Sequence, residues 1–172
     1  IRLPSWAPDP PGRAPQPGYP TYRDLMLEVD RSGRRRSFLE TEAAFLVVKT
    51  LQDRDLVIPV VGDLAGAAAL VRIGESISRR GERLSAFYAS NVEFYLFREG
   101  RFPQFVANLG RVPRAASAVL IRSIFGGYAP VSAGYNSASI VQPVGDLVTG
   151  FAAGRFRQYA ELTGRGRAPQ VW

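Results

Sequence analysis

Three apolar stretches of this chain each run into a polar cluster, and no other feature constrains its fold as tightly. Leu56-Val57-Ile58-Pro59-Val60-Val61 leads into Gly62-Asp63, Leu84-Ser85-Ala86-Phe87-Tyr88 into Ser90-Asn91-Val92-Glu93, and Ala118-Val119-Leu120-Ile121 into Arg122-Ser123. The first is almost continuously apolar, which suits a strand covered on both faces. Read as neighbouring parallel strands, the three bring an acid, an amide with a second acid, and a guanidinium to one edge of a sheet. Open α/β sheets bind ligands at that edge, outside the carboxyl ends of their strands.

The segments between these strands read as helices. Ala67 to Arg80 carries an apolar stripe of Leu70, Ile73 and Ile77 and ends on Arg79-Arg80-Gly81, a cationic C-terminus with a glycine stop. The unit from Leu56 to Ala89 thus has the length of a right-handed βαβ crossover. Upstream, Tyr22 to Val29 predicts a short helix closed by the turn Asp30-Arg31-Ser32-Gly33. Ser37 and Glu40 have capping-box spacing, opening a helix to about Asp53 with Phe38, Phe45, Val48 and Leu51 inward. Downstream, helices are expected from Ser90 to Phe97, Phe102 to Leu109 and Val144 to Ala153, with strands at Ser117 to Arg122 and Phe156 to Leu162. Residues 125 to 142, rich in Gly, Ser, Ala and Pro, read as a loop or flap. The expected fold class is α/β, with a mostly parallel sheet flanked by helices.

Residues 1 to 20 contain seven prolines and read as an extended arm or linker, and 21 to 172 as one domain. The chain has neither cysteine nor histidine. Disulfides, Cys/His zinc sites and His-based triads are therefore excluded, no metal site is expected, and any proton transfer falls to Asp, Glu, Tyr or Lys49. No apolar run is long enough to cross a bilayer, and no signal peptide pattern is visible, so a cytoplasmic location is expected. The net charge of +7 rests almost wholly on arginine. Arg34-Arg35-Arg36 is the one run among scattered, solvated arginines, so nucleic acid is not the expected partner.

Each candidate ligand-binding residue has a structural competitor. Asp63 either receives a ligand hydroxyl, amine or metal-bound water, or caps a helix N-terminus. Ser90 and Glu93 have capping-box spacing of their own. Asn91, at a strand's exit, can both donate to and accept from a ligand. Tyr88 and Tyr95 either line a pocket or pack as core aromatics. Arg122 either clamps an anionic group or pairs with Asp63 or Glu93.

Five segments carry a resemblance: Thr21-Tyr22-Arg23-Asp24-Leu25-Met26, Arg36-Ser37-Phe38-Leu39-Glu40-Thr41-Glu42, Ile58-Pro59-Val60-Val61-Gly62-Asp63-Leu64-Ala65-Gly66, Ala86 through Phe97 with Ser90-Asn91-Val92-Glu93 at its centre, and Leu120-Ile121-Arg122-Ser123. Over about residues 21 to 125 the chain resembles an uncharacterised bacterial family whose longer members are similar to class I S-adenosylmethionine-dependent methyltransferases. The resemblance implies a Rossmann-like organisation. It also implies that this chain corresponds to a C-terminal half, with an N-terminal domain or second chain completing the fold. The family's usual Gly-Asp-Phe-Ala-Gly reads Gly-Asp-Leu-Ala-Gly here. The function so implied is methyltransferase-like binding of S-adenosylmethionine or another nucleotide-like small molecule. Asp63, Asn91 and Glu93 then hold the ligand or orient an acceptor, and Arg122 holds an anionic group. Two alternatives stand beside it: a non-catalytic α/β module that presents a surface to a partner chain, and nucleic-acid binding through Arg34 to Arg36.

Overall fold

The computed structural model describes residues 22–30, 32–125, 127–128 and 137–163. The chain divides into two units, Ile1–Pro59 and Val60–Trp172. The expected arm at residues 1 to 20 lies outside the described residues, as do 126 and 129–136 of the expected flap. Among the described residues no helix is long and apolar enough to cross a membrane.

In the first unit, helix α1 (Tyr22–Leu27) is followed by a turn organised by one carboxylate. Asp30 Oδ1 accepts hydrogen bonds from the Ser32 amide at 2.8 Å, the Ser32 hydroxyl at 2.6 Å and the Arg34 amide at 3.1 Å, while Oδ2 accepts from Arg36 Nε at 2.7 Å. An antiparallel bridge between Val29 and Arg35 closes the turn. These donors, the Ser32 hydroxyl foremost and Arg36 next, hold the Asp30 carboxyl far below the usual aspartate range. Arg36, one of the three consecutive arginines, is thereby engaged within the chain.

Helix α2 (Glu42–Asp53) starts at Thr41, whose hydroxyl accepts from the Ala44 amide at 3.1 Å. Ser37 does not cap it. Its hydroxyl accepts from the Leu39 amide at 3.2 Å and makes a turn ahead of the helix. Phe38, Phe45 and Leu51, expected to face inward, are exposed, and no residue of α2 is buried.

The expected strand from Leu56 to Val61 is absent. The Leu56 amide instead donates to the Leu51 carbonyl at 2.8 Å, with Asp55 left-handed at φ 52°. Leu56, Val57, Ile58 and Val60 are about half exposed and Val61 is fully exposed at 103%. Pro59 offers no amide to a ladder, which confines such a segment to sheet edges. A short apolar run cannot by itself distinguish strand from other structure.

The second unit carries the core. Helix α3 (Ala69–Arg79) leads to strand β1 (Leu84–Ser90), then helices α4 (Val92–Arg98) and α5 (Phe102–Arg111), and strand β2 (Arg114–Phe125). Strand β3 (Ser137–Pro143), helix α6 (Val144–Ala152) and the short helix α7 (Tyr159–Leu162) follow. The sheet has order β1-β2-β3, with β1 and β2 parallel and β2 and β3 antiparallel. The fold is thus an α/β mixture around a small three-stranded mixed sheet, not the mostly parallel sheet expected. Two misread segments account for the difference. Leu56–Val61 contributes no parallel strand, and the latter part of the expected flap forms the antiparallel β3. The parallel crossover observed is the next one along, from β1 through α4 and α5 to β2.

Phe156 to Leu162, expected as a strand, ends in α7. The Gln158 and Glu161 side chains form a capping box there, with Glu161 Oε2 accepting from the Arg157 amide at 2.5 Å and the Gln158 amide at 3.3 Å. The box satisfies the Gln158 amide through the Glu161 side chain and the Glu161 amide through the Gln158 side chain.

Packing follows helical periodicity. Phe102, Phe105, Val106 and Leu109 recur at i, i+3, i+4 and i+7 along α5, and all four are buried. They join Leu70 of α3, Ala89, Leu96, Ala118, Leu120, Val144, Leu147 and Leu162 in one cluster. Phe97 stacks on Phe102 with ring centroids 3.9 Å apart. Gly74 of α3 lies against Val112 and Pro113, where a Cβ would stand 3.6 Å from the Val112 backbone.

Candidate functional site

Strand β2 alternates from Ala118 onward: Ala118, Leu120, Arg122 and Ile124 are buried, while Val119, Ile121 and Ser123 between them are less so. A strand's side chains alternate between faces, so Arg122 lies on the core side, among apolar residues. It does not end the strand, which continues to Phe125. In register it stands opposite Ser90 of β1 and Ile140 of β3.

A guanidinium with 1% exposure needs partners for its donors. Glu93, also 1% exposed, is delivered by the first turn of α4. Arg122 Nε donates to Glu93 Oε2 at 2.5 Å and Nη2 to Oε1 at 3.2 Å, a bidentate pair. Nη1 donates to Gln142 Oε1 at 2.8 Å. One buried cluster thus ties β2 to α4 and to β3. Tyr159 of α7 lies in the same electrostatic environment. It is 6% exposed, and its hydroxyl has no hydrogen-bond partner among the described residues. Burial first, and the Glu93 carboxylate second, push the phenol above its ordinary value, with Arg122 opposing.

At the carboxyl end of β1 the chain turns sharply. Ser90 adopts φ 51°, the left-handed region that a non-glycine residue seldom occupies. Asn91 follows at the N-cap of α4 without capping it, and its side-chain amide makes no hydrogen bond among the described residues. Tyr88 projects from the sheet at 64% exposure, its hydroxyl 3.2 Å from the Ser123 hydroxyl on β2. Tyr95 is exposed, with the Arg98 guanidinium over its ring.

Asp63 has a different set of partners. Its Oδ1 accepts from the Ala65 amide at 2.9 Å, and its Oδ2 pairs with the Arg101 guanidinium at the start of α5. The Arg101 bond is the main cause of a carboxyl held below the usual aspartate range. Asn108 fastens the same loop from α5, its Nδ2 donating to the carbonyls of Leu64 at 3.1 Å and Gly66 at 2.8 Å. Of the two ion pairs that sequence left open for Arg122, the structure forms the one with Glu93; Asp63 takes Arg101.

Four polar contributors escape sequence reading: Gln142, Tyr159, Arg101 and Asn108. Gln142 and Tyr159 lie in segments read as flap and strand. Arg101 and Asn108 reach partners far back along the chain, at Asp63 and at Leu64 and Gly66, a separation no local pattern encodes. Among the described residues no group of three or more His, Cys, Asp or Glu is placed to hold a metal ion.

No curated protein matches the chain. A family model described as a domain of unknown function (DUF7790) matches residues 18–163, spanning both units and every residue of the site. The chain belongs to this DUF7790 family.

Proposed function

We propose that this chain is a Rossmann-like, methyltransferase-like domain that binds S-adenosylmethionine or another nucleotide-like small molecule beyond the carboxyl ends of β1 and β2. One observation carries the reading. A parallel strand pair with a helical crossover ends in a left-handed Ser90 and an Asn91 whose side-chain amide has no partner among the described residues. Such a strand-to-helix turn is where α/β sheets bind nucleotides. An unengaged amide suits an adenine edge or a ribose hydroxyl, because it can donate and accept together. In this reading Ser90, Asn91 and Tyr88 touch the ligand, and Asp63, held ionised by Arg101, accepts from ligand hydroxyls. Glu93 and Arg122 are positioning residues: buried and paired, they fix α4 against β2 and so set the turn.

S-adenosylmethionine, when bound, supplies the methyl group, and the side chains only bind and orient. Methyl transfer depends mainly on aligning donor and acceptor, so a site without histidine is adequate. Titration calorimetry with S-adenosylmethionine and S-adenosylhomocysteine tests the reading. Binding is expected with at least one, weakened about tenfold or more in Asn91→Ala, as the loss of a hydrogen-bonded contact would give. No heat with either compound overturns it.

A further inference from the structure

The fold of the second unit gathers arginines that lie scattered along the chain. Helix α3 ends on Arg79 with Arg80 as its cap, Arg83 precedes β1, α5 ends on Arg111, and Arg114 opens β2. Leu84 stands opposite Arg114 in register, its amide donating to the Pro113 carbonyl at 2.8 Å, and Gly74 of α3 lies against Val112. The five arginines therefore share the end of the unit where the parallel strands begin. At about 3.3 Å per residue, β1 sets this end roughly 20 Å from the turn at Ser90.

Arg79, Arg80, Arg83 and Arg111 are exposed and Arg114 is half-buried. Among the described residues the ion pairs engage Arg36, Lys49, Arg101 and Arg122, and none of these five. Glu82 lies within the cluster, Glu75 one turn back on α3, and Asp146 on α6, whose Val148 lies against Gly110; none of the three pairs with it. Arg83 Nη1 and Arg114 Nη1 donate instead to backbone carbonyls, of Arg114 at 3.5 Å and of Gly110 at 2.9 Å. The C-termini of α3 and α5 offer roughly one negative charge between them. That is too little for five guanidinium groups, so the end of the unit fits a polyanion.

The lack of apolar anchors narrows which polyanion. The large exposed apolar residues of the second unit are Val60, Val61, Tyr88 and Tyr95, none of them among these arginines. An element lying on a membrane sinks apolar side chains into it, a protein partner is held by buried anchors, and a single strand stacks its bases on aromatic rings. A duplex backbone needs none of these, because cations alone supply its sequence-independent affinity. It also meets little steric obstruction. While β1 advances from Leu84 to Ala86, β2 advances from Arg114 to Val119, so Ala115, Ala116 and Ser117, all small, bulge from the ladder beside Arg114.

We infer that Arg79, Arg80, Arg83, Arg111 and Arg114 form a surface that binds the phosphate backbone of a nucleic-acid duplex without reading its bases. The planar fork of arginine matches phosphate oxygens. Residues 60–172 carry thirteen Arg against seven Asp or Glu, a net of +6 that attracts such a polyanion from a distance. The inference stands apart from the ligand reading, which concerns the other end of the strands.

Fluorescence anisotropy of the full chain with short mixed-sequence DNA and RNA duplexes tests this. Binding to at least one is expected, with log K falling against log salt at a slope of about −4, as about four or five phosphate contacts give. Arg80→Gln combined with Arg83→Gln should weaken binding about tenfold or more at low salt and make the slope shallower by about 2. Both side chains are exposed, so circular dichroism should match the parent. Arg34→Gln combined with Arg35→Gln removes the same charge from the first unit and should leave the slope nearly unchanged. Any one of three results overturns the inference: no binding to either duplex at low salt, equal losses in the two double variants, or tighter binding to vesicles of phosphatidylserine and phosphatidylcholine than to either duplex.

Discussion

Arg122 occupies a β2 position where the alternation calls for an apolar side chain, and its neighbours on that face are Leu120 and Ile124. It is tolerated because Glu93 and Gln142 take up three of its donors. Removing one member of such a pair leaves the other charge buried and alone. Arg122→Met should therefore lower unfolding stability by about 3–5 kcal/mol, and adding Glu93→Leu should recover part of that loss. Urea unfolding of the single and double variants measures both; equal stabilities for Arg122→Met and the parent would show the pair to be dispensable. The interest of Arg122 and Glu93 is legible in their places after apolar runs. That they bind each other, and that Gln142 joins them, follows from a strand register that no local spacing reveals.

At the scale of elements, the turn between Val29 and Arg35 depends on one ionised carboxylate. The Asp30 carboxyl is depressed in the folded chain from its ordinary value of 3.8. A depressed value means that the stabilisation is fully present above the unfolded value and is lost progressively as pH falls from there through the much lower folded value. The protection of the Ser32 and Arg34 amides, taken as intrinsic over observed exchange rate, is expected to hold from neutral pH to below 3.8 and to fall only in strong acid, where the Asp30 carboxylate protonates. Asp30→Asn should lower the protection of both amides at neutral pH and leave none of it to be lost on acidification. Amide exchange followed by NMR decides this, and an unchanged neutral rate in the variant would refute it. Helices are the elements most legible in the sequence, with α3, α4, α5 and α6 each close to the span expected, because an apolar stripe at helical spacing extends over several turns. Strands are less so. Leu56–Val61 has the composition of a strand and Pro59 to spoil it, while β3 is hidden in small polar residues whose pairing with β2 is what makes them a strand.

The two units differ in how they are held. The second has a continuous core running from Ala65 to Leu162, whereas helix α2 of the first has no buried residue. Segments that bury little open at low free energy. Limited proteolysis should accordingly cut first within 22–59 and leave a resistant product covering 60–163; early cleavage inside α5 or β2 would contradict this. The sequence suggests one globular body from Thr21 onward because apolar residues are as plentiful in 22–61 as further along. Composition records how much apolar surface a segment has, not whether anything covers it.

What the chain by itself determined was the α/β character, the exclusion of thiol and imidazole chemistry, the positions of the main helices, and the polar turn at Ser90 to Glu93. These depend on residue chemistry and on patterns repeating within a few turns of one element. Only the tertiary structure decided that β3 runs antiparallel, that Asp63 pairs with Arg101 and Arg122 with Glu93, and that Leu56–Val61 stays out of the sheet. Each of those outcomes is a competition between distant segments for the same hydrogen bonds and the same buried space, and its result is set by which partners arrive there.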